Sequence, residues 1–366
     1  MILLTAESFV FFIKKILGET WMGDLFDYIL EAEEKVLCKG GLTEADFLLF
    51  AQLAYLKYEG LVPSPKEHKR GITLRELSCH PGKKGLFREL WFASEHEKIL
   101  DSVGDSSRFG AIRVCDYAKV MDRRREAQFS AITFVTGTGE NCVAFCGTDE
   151  TVTGWKEDVN MVFDKEVPCR ELACAYLRQA AKHHPGKLYV VGHSKGGNLA
   201  FYSTLNAPEE IRQRIAGVYN FDGPGFRFPQ HRERIRGGIM KKYVPPHSVV
   251  GIFYDSSKKC KVIESGAYGL MQHNAYTWKI RKGRLLPSAK KKCIHERYVH
   301  RFMRELEKSG EAAREKRIDK LFSVFSYAGS DSFWKIGEEW RHRIPLIIAL
   351  WREGVFFCKN CEKMRK

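Results

Sequence analysis

The sequence predicts an α/β protein: a mainly parallel sheet flanked by helices, with a helical N-terminal segment and a basic helical C-terminal extension. Three observations predict it. From about residue 111, short runs rich in β-branched and aromatic residues alternate with helical ones, as in strands joined by crossover helices. One run, Leu188-Tyr189-Val190-Val191, is a buried-strand pattern that passes through Gly192-His193-Ser194-Lys195-Gly196 directly into a helical pattern. And a chain of 366 residues, 44% of them hydrophobic, has enough apolar surface for a sizeable core.

In chain order, residues 1–22 form an extension of uncertain standing, because the apolar start lacks a basic leader region and Met22 is an alternative initiator. Residues 23–110 read as a helical region packing on the core, with helices over 24–37 and 43–58. Thr43 followed by Asp46 is a capping-box-like start for the second. Phe47, Leu49, Phe50, Leu53, Ala54 and Leu56 nearly encircle that helix, which therefore has to be buried against something larger. Residues 60–110 are mixed, with turns marked by Pro63, Pro65 and Pro81.

Residues 111–287 form the core, with an inserted cap segment at about 223–247. Strands are expected at 111–120, 129–136, 141–145, 187–192 and 217–221, and runs at 249–254 and 261–264 continue the sheet or its edge. Helices are expected at 170–183 and 195–206. Residues 288–366 are the basic helical extension, where Ile318, Leu321, Phe322 and Phe325 share one apolar face. The extension docks on the core by the simpler reading, or approaches an anionic membrane through that face, residues 344–351 and the neighbouring cations.

The net charge is +15, and residues 281–366 supply most of it with 22 Lys and Arg against 11 Asp and Glu. Such a field attracts anionic headgroups, acidic substrates or nucleic acid and says little about fold. No run approaches the roughly 18 apolar residues of a membrane span, and the eleven cysteines are scattered singly or in loose pairs, so the chain reads as cytosolic with reduced thiols. Cys358 and Cys361 have metal-ligand spacing but no second pair, and no metal is assigned to them.

The chemistry centres on Ser194. A hydroxyl becomes a useful nucleophile when a base takes its proton and a sharp turn projects its oxygen into a cleft. Gly-x-Ser-x-Gly between a strand and a helix is that turn, because close neighbours of the serine have to lack side chains. Ser194 is therefore the expected nucleophile of a serine hydrolase with the α/β-hydrolase fold. The remaining members of a triad follow in the order acid, then histidine. His273, in the loop Gln272-His273-Asn274 ahead of an expected strand at 276–278, is the expected base, with His247 in reserve. Asp222 and Asp255 both end strand-like runs and are the two candidates for the acid, Asp222 being favoured.

The run Gly192-His193-Ser194-Lys195-Gly196-Gly197-Asn198-Leu199-Ala200 resembles a group of bacterial lipase-like α/β-hydrolases, largely a domain of unknown function and akin to class 3 lipases. The resemblance takes in residues 46–55 as well. Ala144-Phe145-Cys146-Gly147-Thr148-Asp149, followed by Trp155 and Asp158, is similar to the class 3 lipase strand that ends in Phe-Arg-Gly-Thr. It implies that the backbone N–H groups of Thr148 and Lys195 form the oxyanion hole, each worth about 10²-fold or more in rate. Cys146 stands where those enzymes carry arginine, and Tyr243-Val244-Pro245-Pro246 lacks the aspartate of their Asp-x-Val-Pro run. The side chain of Lys195 reads as a solvated helix-start residue, or as an attractor for an anionic group.

Together these point to hydrolysis of a carboxylic ester, small or lipid-like, without a metal or organic cofactor. The rival class is a non-catalytic module that binds nucleic acid or anionic membrane through the basic extension. The basic residues stand beside no nucleic-acid recognition motif, which disfavours nucleic acid.

Overall fold

The computed structural model of the protein describes residues 23–32, 41–67, 69–122, 124–125, 127–148, 161, 167–226, 238–248, 250–251, 260–289 and 310. Its helices are α1 (Leu25–Ala32), α2 (Glu44–Leu53), α3 (Leu74–Ser78), α4 (Ala93–Asp105), α5 (Pro168–His183), α6 (Lys195–Leu205) and α7 (Glu209–Arg212). The strands are β1 (Ile72–Thr73), β2 (Arg113–Asp122), β3 (Ala127–Val135), β4 (Glu140–Phe145), β5 (Lys187–His193), β6 (Ile215–Phe221), β7 (Met240–Val244) and β8 (Lys261–Val262), followed by the hairpin β9 (Ile280–Arg281) and β10 (Arg284–Leu285).

β1 to β8 form one sheet in chain order. The connections decide its sense. Short turns make β2, β3 and β4 antiparallel, whereas α5 and α6 carry the chain back over the sheet and leave β4, β5 and β6 parallel. β7 and β8 continue in parallel. The result is the α/β-hydrolase fold expected from the sequence.

Alternation along the strands divides the core into two layers, as a period of two requires. Ile132, Phe134, Cys142, Ala144, Val191, Tyr219 and Phe221 face the layer that holds α2, while Ala131, Val143, Phe145, Leu188, Val190 and Val218 face α5 and α6. A sheet covered on both sides needs strands apolar at nearly every position, which is why these runs read as continuous.

α2 accounts for its own composition. Every residue from Ala45 to Leu53 is buried. Phe47 stacks on Tyr219 with centroids 4.1 Å apart, Phe50 stacks on Phe134 at 4.7 Å, and the opposite side of the helix meets α1 and α4. At about 1.5–3 kcal/mol for each large apolar side chain buried, this helix is a principal anchor of the N-terminal region. The capping box forms as expected: the Thr43 hydroxyl accepts from the Asp46 N–H, and the Asp46 carboxylate accepts from the Thr43 N–H at 2.7 Å. The same carboxylate is buried and receives the Tyr28 hydroxyl at 2.7 Å and the Arg108 guanidinium at 2.6 Å.

Three expectations need revision. β7 arises from residues 240–244, inside the stretch read as a cap, because Lys241 and Lys242 disguise a strand. Lys241 lies over the Tyr219 ring and Lys242 donates to the carbonyl of Gly251, so neither charge stops the backbone from pairing with β6. Val250 and Gly251, from the run expected to be a strand at 249–254, form a turn, and the rest of that run lies outside the described residues. Residues 276–278 do not form a strand either. Ala275–Thr277 is a 3₁₀ turn that Asn274 caps by accepting from the Tyr276 N–H.

Candidate active site

β5 delivers the chain to Ser194 and α6 departs from it. Between them Ser194 adopts φ 56° and ψ −131°, a conformation that costs a residue with a side chain about 1–3 kcal/mol. Neighbouring backbone holds it there. The Ser194 N–H donates to the Phe221 carbonyl and the Gly197 N–H to the Ser194 carbonyl, both at 2.9 Å. The flanking glycines are steric requirements: a Cβ on Gly192 would stand 2.1 Å from the carbonyl carbon of Gly196, and one on Gly196 would stand 2.1 Å from the oxygen of Phe145.

One strand further on, Asp222 follows the end of β6, also at positive φ, with its N–H donating to the Tyr243 carbonyl at 2.8 Å. Its carboxylate is fully buried. One oxygen accepts the Nδ1–H of His273 at 2.7 Å and the other accepts the Ser248 hydroxyl. His273 closes the 3₁₀ turn Gly269–His273, with its side chain 31% exposed. Because Nδ1 carries the proton toward Asp222, Nε2 is the basic nitrogen. His273 and Ser194 line the same cavity, of about 200 Å³.

His193 holds His273 from behind. Its Nε2–H donates to the His273 carbonyl at 2.9 Å, and its Nδ1 accepts the Tyr55 hydroxyl at 2.9 Å. Only a neutral ring can do both. Burial, reinforced by repulsion from His273, keeps the His193 pKa well below the usual imidazole range. Tyr55 in turn sits over Gly147, where a Cβ would stand 2.0 Å from the phenolic oxygen.

Thr148 follows β4 and lines the cavity across from the elbow. Lys195 opens α6, in the first turn, where a backbone N–H has no acceptor within its own helix. Its side chain departs from expectation. It is neither solvated nor turned toward substrate: it is buried, with Nζ donating to both the backbone and side-chain oxygens of Gln128. Gln128 also donates to the Gly147 carbonyl at 3.4 Å, so the lysine joins the start of α6 to the end of β4. The antiparallel β3 supplies Gln128, and that is what draws the ammonium inward.

The fold thus brings Ser194, His273, Asp222, Thr148 and Lys195 together, with Thr148, Ser194, Lys195 and Asp222 just beyond the C-terminal ends of β4, β5 and β6. His247 does not line the cavity, and its N–H donates to the Gln272 side chain. Asp255, Trp155, Asp158, the Cys358 and Cys361 pair and the apolar face of the tail lie outside the described residues. Ser248 and Gln128 carry no sequence signal of their own, and Tyr55 and His193, though inside the runs that carry the resemblance, are given no role by it, since each acts through a partner distant in the chain. Apart from the residues above, the cavity wall is mostly apolar and aromatic, with Trp91, Phe92, Val250 and Met271 beside Tyr55, and Gln52, His96 and Asn274 adding polar groups.

Among solved structures, the chain is similar to a fungal lipase in complex with an inhibitor, at 13% identity over 61% of this chain and 78% of that one, with a TM-score of 0.36. It is similar also to the Rhizomucor miehei lipase propeptide complex, at 13% identity, 60% and 67% coverage and a TM-score of 0.35. M37 lipase matches at 16% identity, 71% and 79% coverage and a TM-score of 0.38. No curated protein sequence matches the chain. The Mbeg1-like family model matches residues 103–323, from the end of α4 through the elbow and the histidine turn and beyond. The chain therefore belongs to the Mbeg1-like family.

Proposed function

We propose that the protein is a serine hydrolase of carboxylic esters, with Ser194 as nucleophile, His273 as general base and Asp222 as the acid that orients it. The observation that carries the proposal is the 2.7 Å contact between His273 and a fully buried Asp222, on a histidine that shares a cavity with a serine in a strained turn. In the reaction, His273 Nε2 takes the Ser194 proton as the serine oxygen attacks the ester carbonyl. The N–H groups of Thr148 and Lys195 hold the oxyanion. The imidazolium then protonates the leaving alcohol, and the same base activates the water that releases the acid.

The lining favours an acyl chain over a polar acyl group, because Trp91, Phe92, Val250 and Met271 offer little to a hydrogen-bonding substrate. Exposed Tyr268 and Met271 extend that apolar character outward. A lipid ester is accordingly our reading of the substrate, with the enzyme in the cytosol and the basic residues 281–366 drawing it to anionic membrane surfaces. Among the described residues no helix is long and apolar enough to cross a membrane.

A fluorophosphonate probe tests the reaction class. The folded wild type should be labelled and Ser194→Ala should not. An unlabelled wild type, or equal labelling of the variant, would remove the hydrolase reading. A panel of esters of increasing acyl length, with and without anionic vesicles, then reads the substrate.

A further inference from the structure

We propose that Asp116, His183 and His184 bind one divalent transition-metal ion of the zinc type, fastening the C-terminal end of α5 to β2. The three side chains converge from two elements 67 residues apart in the chain. His183 Nδ1 lies 3.0 Å from Asp116 Oδ2, His184 Nε2 lies 2.8 Å from the same oxygen, and all three donor atoms fall within 4.8 Å of one another. Imidazole and carboxylate bound to one zinc ion at about 2.0–2.2 Å stand about 3.0–3.4 Å apart, so both contacts to Asp116 are already close to that spacing, and side-chain rotation has to bring the two imidazole nitrogens to it as well.

The backbone aims these groups in ways that neither element would adopt by default. Consecutive residues on a helix point about 100° apart. Here His183 ends α5 and His184 leaves it in extended conformation, and one presents its near ring nitrogen while the other presents its far one. Asp116 lies in β2 at φ 56°, inside the irregularity between Cys115 and Ala118 where the register with β3 shifts. That bulge turns the carboxylate toward α5. The Tyr176 hydroxyl, from α5, fixes the bulge by donating to the Asp116 carbonyl at 2.7 Å.

Enclosure suits an ion as well. The Asp116 and His183 side chains are 5% and 7% exposed, while that of His184 is 16% exposed and gives a path for entry and for a water as the fourth ligand. Two imidazoles and one carboxylate form a donor set for zinc and its neighbours and a poor one for calcium or magnesium, which take oxygen. None of the three residues lines the cavity at Ser194, so the ion is structural and its test needs no activity.

The metal-stripped full chain should bind one equivalent of cobalt(II) with a visible d–d band, release it to zinc(II), and melt at a higher temperature with either ion. His184→Gln, checked for fold by circular dichroism, should bind more than about 100-fold more weakly, beyond the range for losing an outer-shell partner alone. It should also lose the melting shift, and Asp116→Asn should do the same. Cys358→Ser combined with Cys361→Ser should keep both, excluding the tail thiols. Absence of stoichiometric binding, or binding and melting shift unchanged in His184→Gln, would overturn the site and leave a hydrogen-bonded cluster in which both imidazoles donate to Asp116.

Discussion

Asp222 takes both of its carboxylate partners in the buried state, so removing its charge affects orientation and electrostatics together. Asp222→Asn should lower kcat for ester hydrolysis by about 10⁴, the loss seen when a triad acid becomes an amide and the histidine takes the wrong tautomer. Asp255→Asn should stay within a few-fold of wild type, and the reverse outcome would reassign the acid. His193 supports a prediction in pH. Its folded pKa is well below the ordinary 6.5, so in the window beneath 6.5 the unfolded chain binds a proton that the folded chain refuses. Stability contributed by neutral His193 is therefore complete above that window and falls as pH drops through it. The melting temperature of the wild type should decline more steeply from pH 7 to pH 5 than that of His193→Gln. Equal slopes would mean that the ring is protonated in the folded protein. Asp27, whose pKa is raised to about 6, works in the opposite direction in part of that range, which is why the comparison between the two chains is the measurement.

At the scale of elements, the strand–elbow–helix unit is the most constrained piece of the chain. A methyl group on Gly196 meets the Phe145 oxygen on β4, a neighbour locked by pairing with β5 and unable to retreat. Gly196→Ala should cost on the order of 3 kcal/mol or more in urea unfolding, as overpacking against backbone does, and should abolish probe labelling. A folded, fully labelled variant would show that the turn can shift. This unit was legible because a strand run, two spaced glycines and a helix run have no other common solution. The capping box of α2 was legible for the same kind of reason, since Thr43 and Asp46 act on backbone three residues away. β7 was hidden, because its lysines find an aromatic face on β6 and a carbonyl in the turn at Gly251 that only the tertiary fold supplies.

For the whole molecule, one apolar cluster runs from α1 and α2 through α4 to the sheet, so the N-terminal region and the core share their packing. Within that cluster the Asp46–Arg108 pair is the charged link, 2.6 Å long with side chains 0% and 3% exposed. Asp46→Ala would leave a guanidinium buried beside Tyr28 without its carboxylate. A loss of about 3–5 kcal/mol is expected, measured as a shift in the midpoint of denaturant unfolding. A loss under about 1 kcal/mol would mean that Arg108 reaches solvent in the variant. The pair also positions α2, which carries the chain to Tyr55, so the same substitution should loosen the support of His193.

The sequence by itself determined the fold class, the sharp turn at Ser194 and most strand and helix positions, because each rests on interactions between residues close in the chain or on a repeating apolar period. It favoured His273 as the base, with His247 in reserve, and narrowed the acid to two aspartates. Only the tertiary structure decided which described carboxylate meets the imidazole, that Lys195 turns inward to Gln128, that Tyr55 and His193 brace His273, and that Asp116 meets two histidines 67 and 68 residues away. Those are contacts between residues that no local pattern relates, and they exist only once the sheet has set its strands side by side.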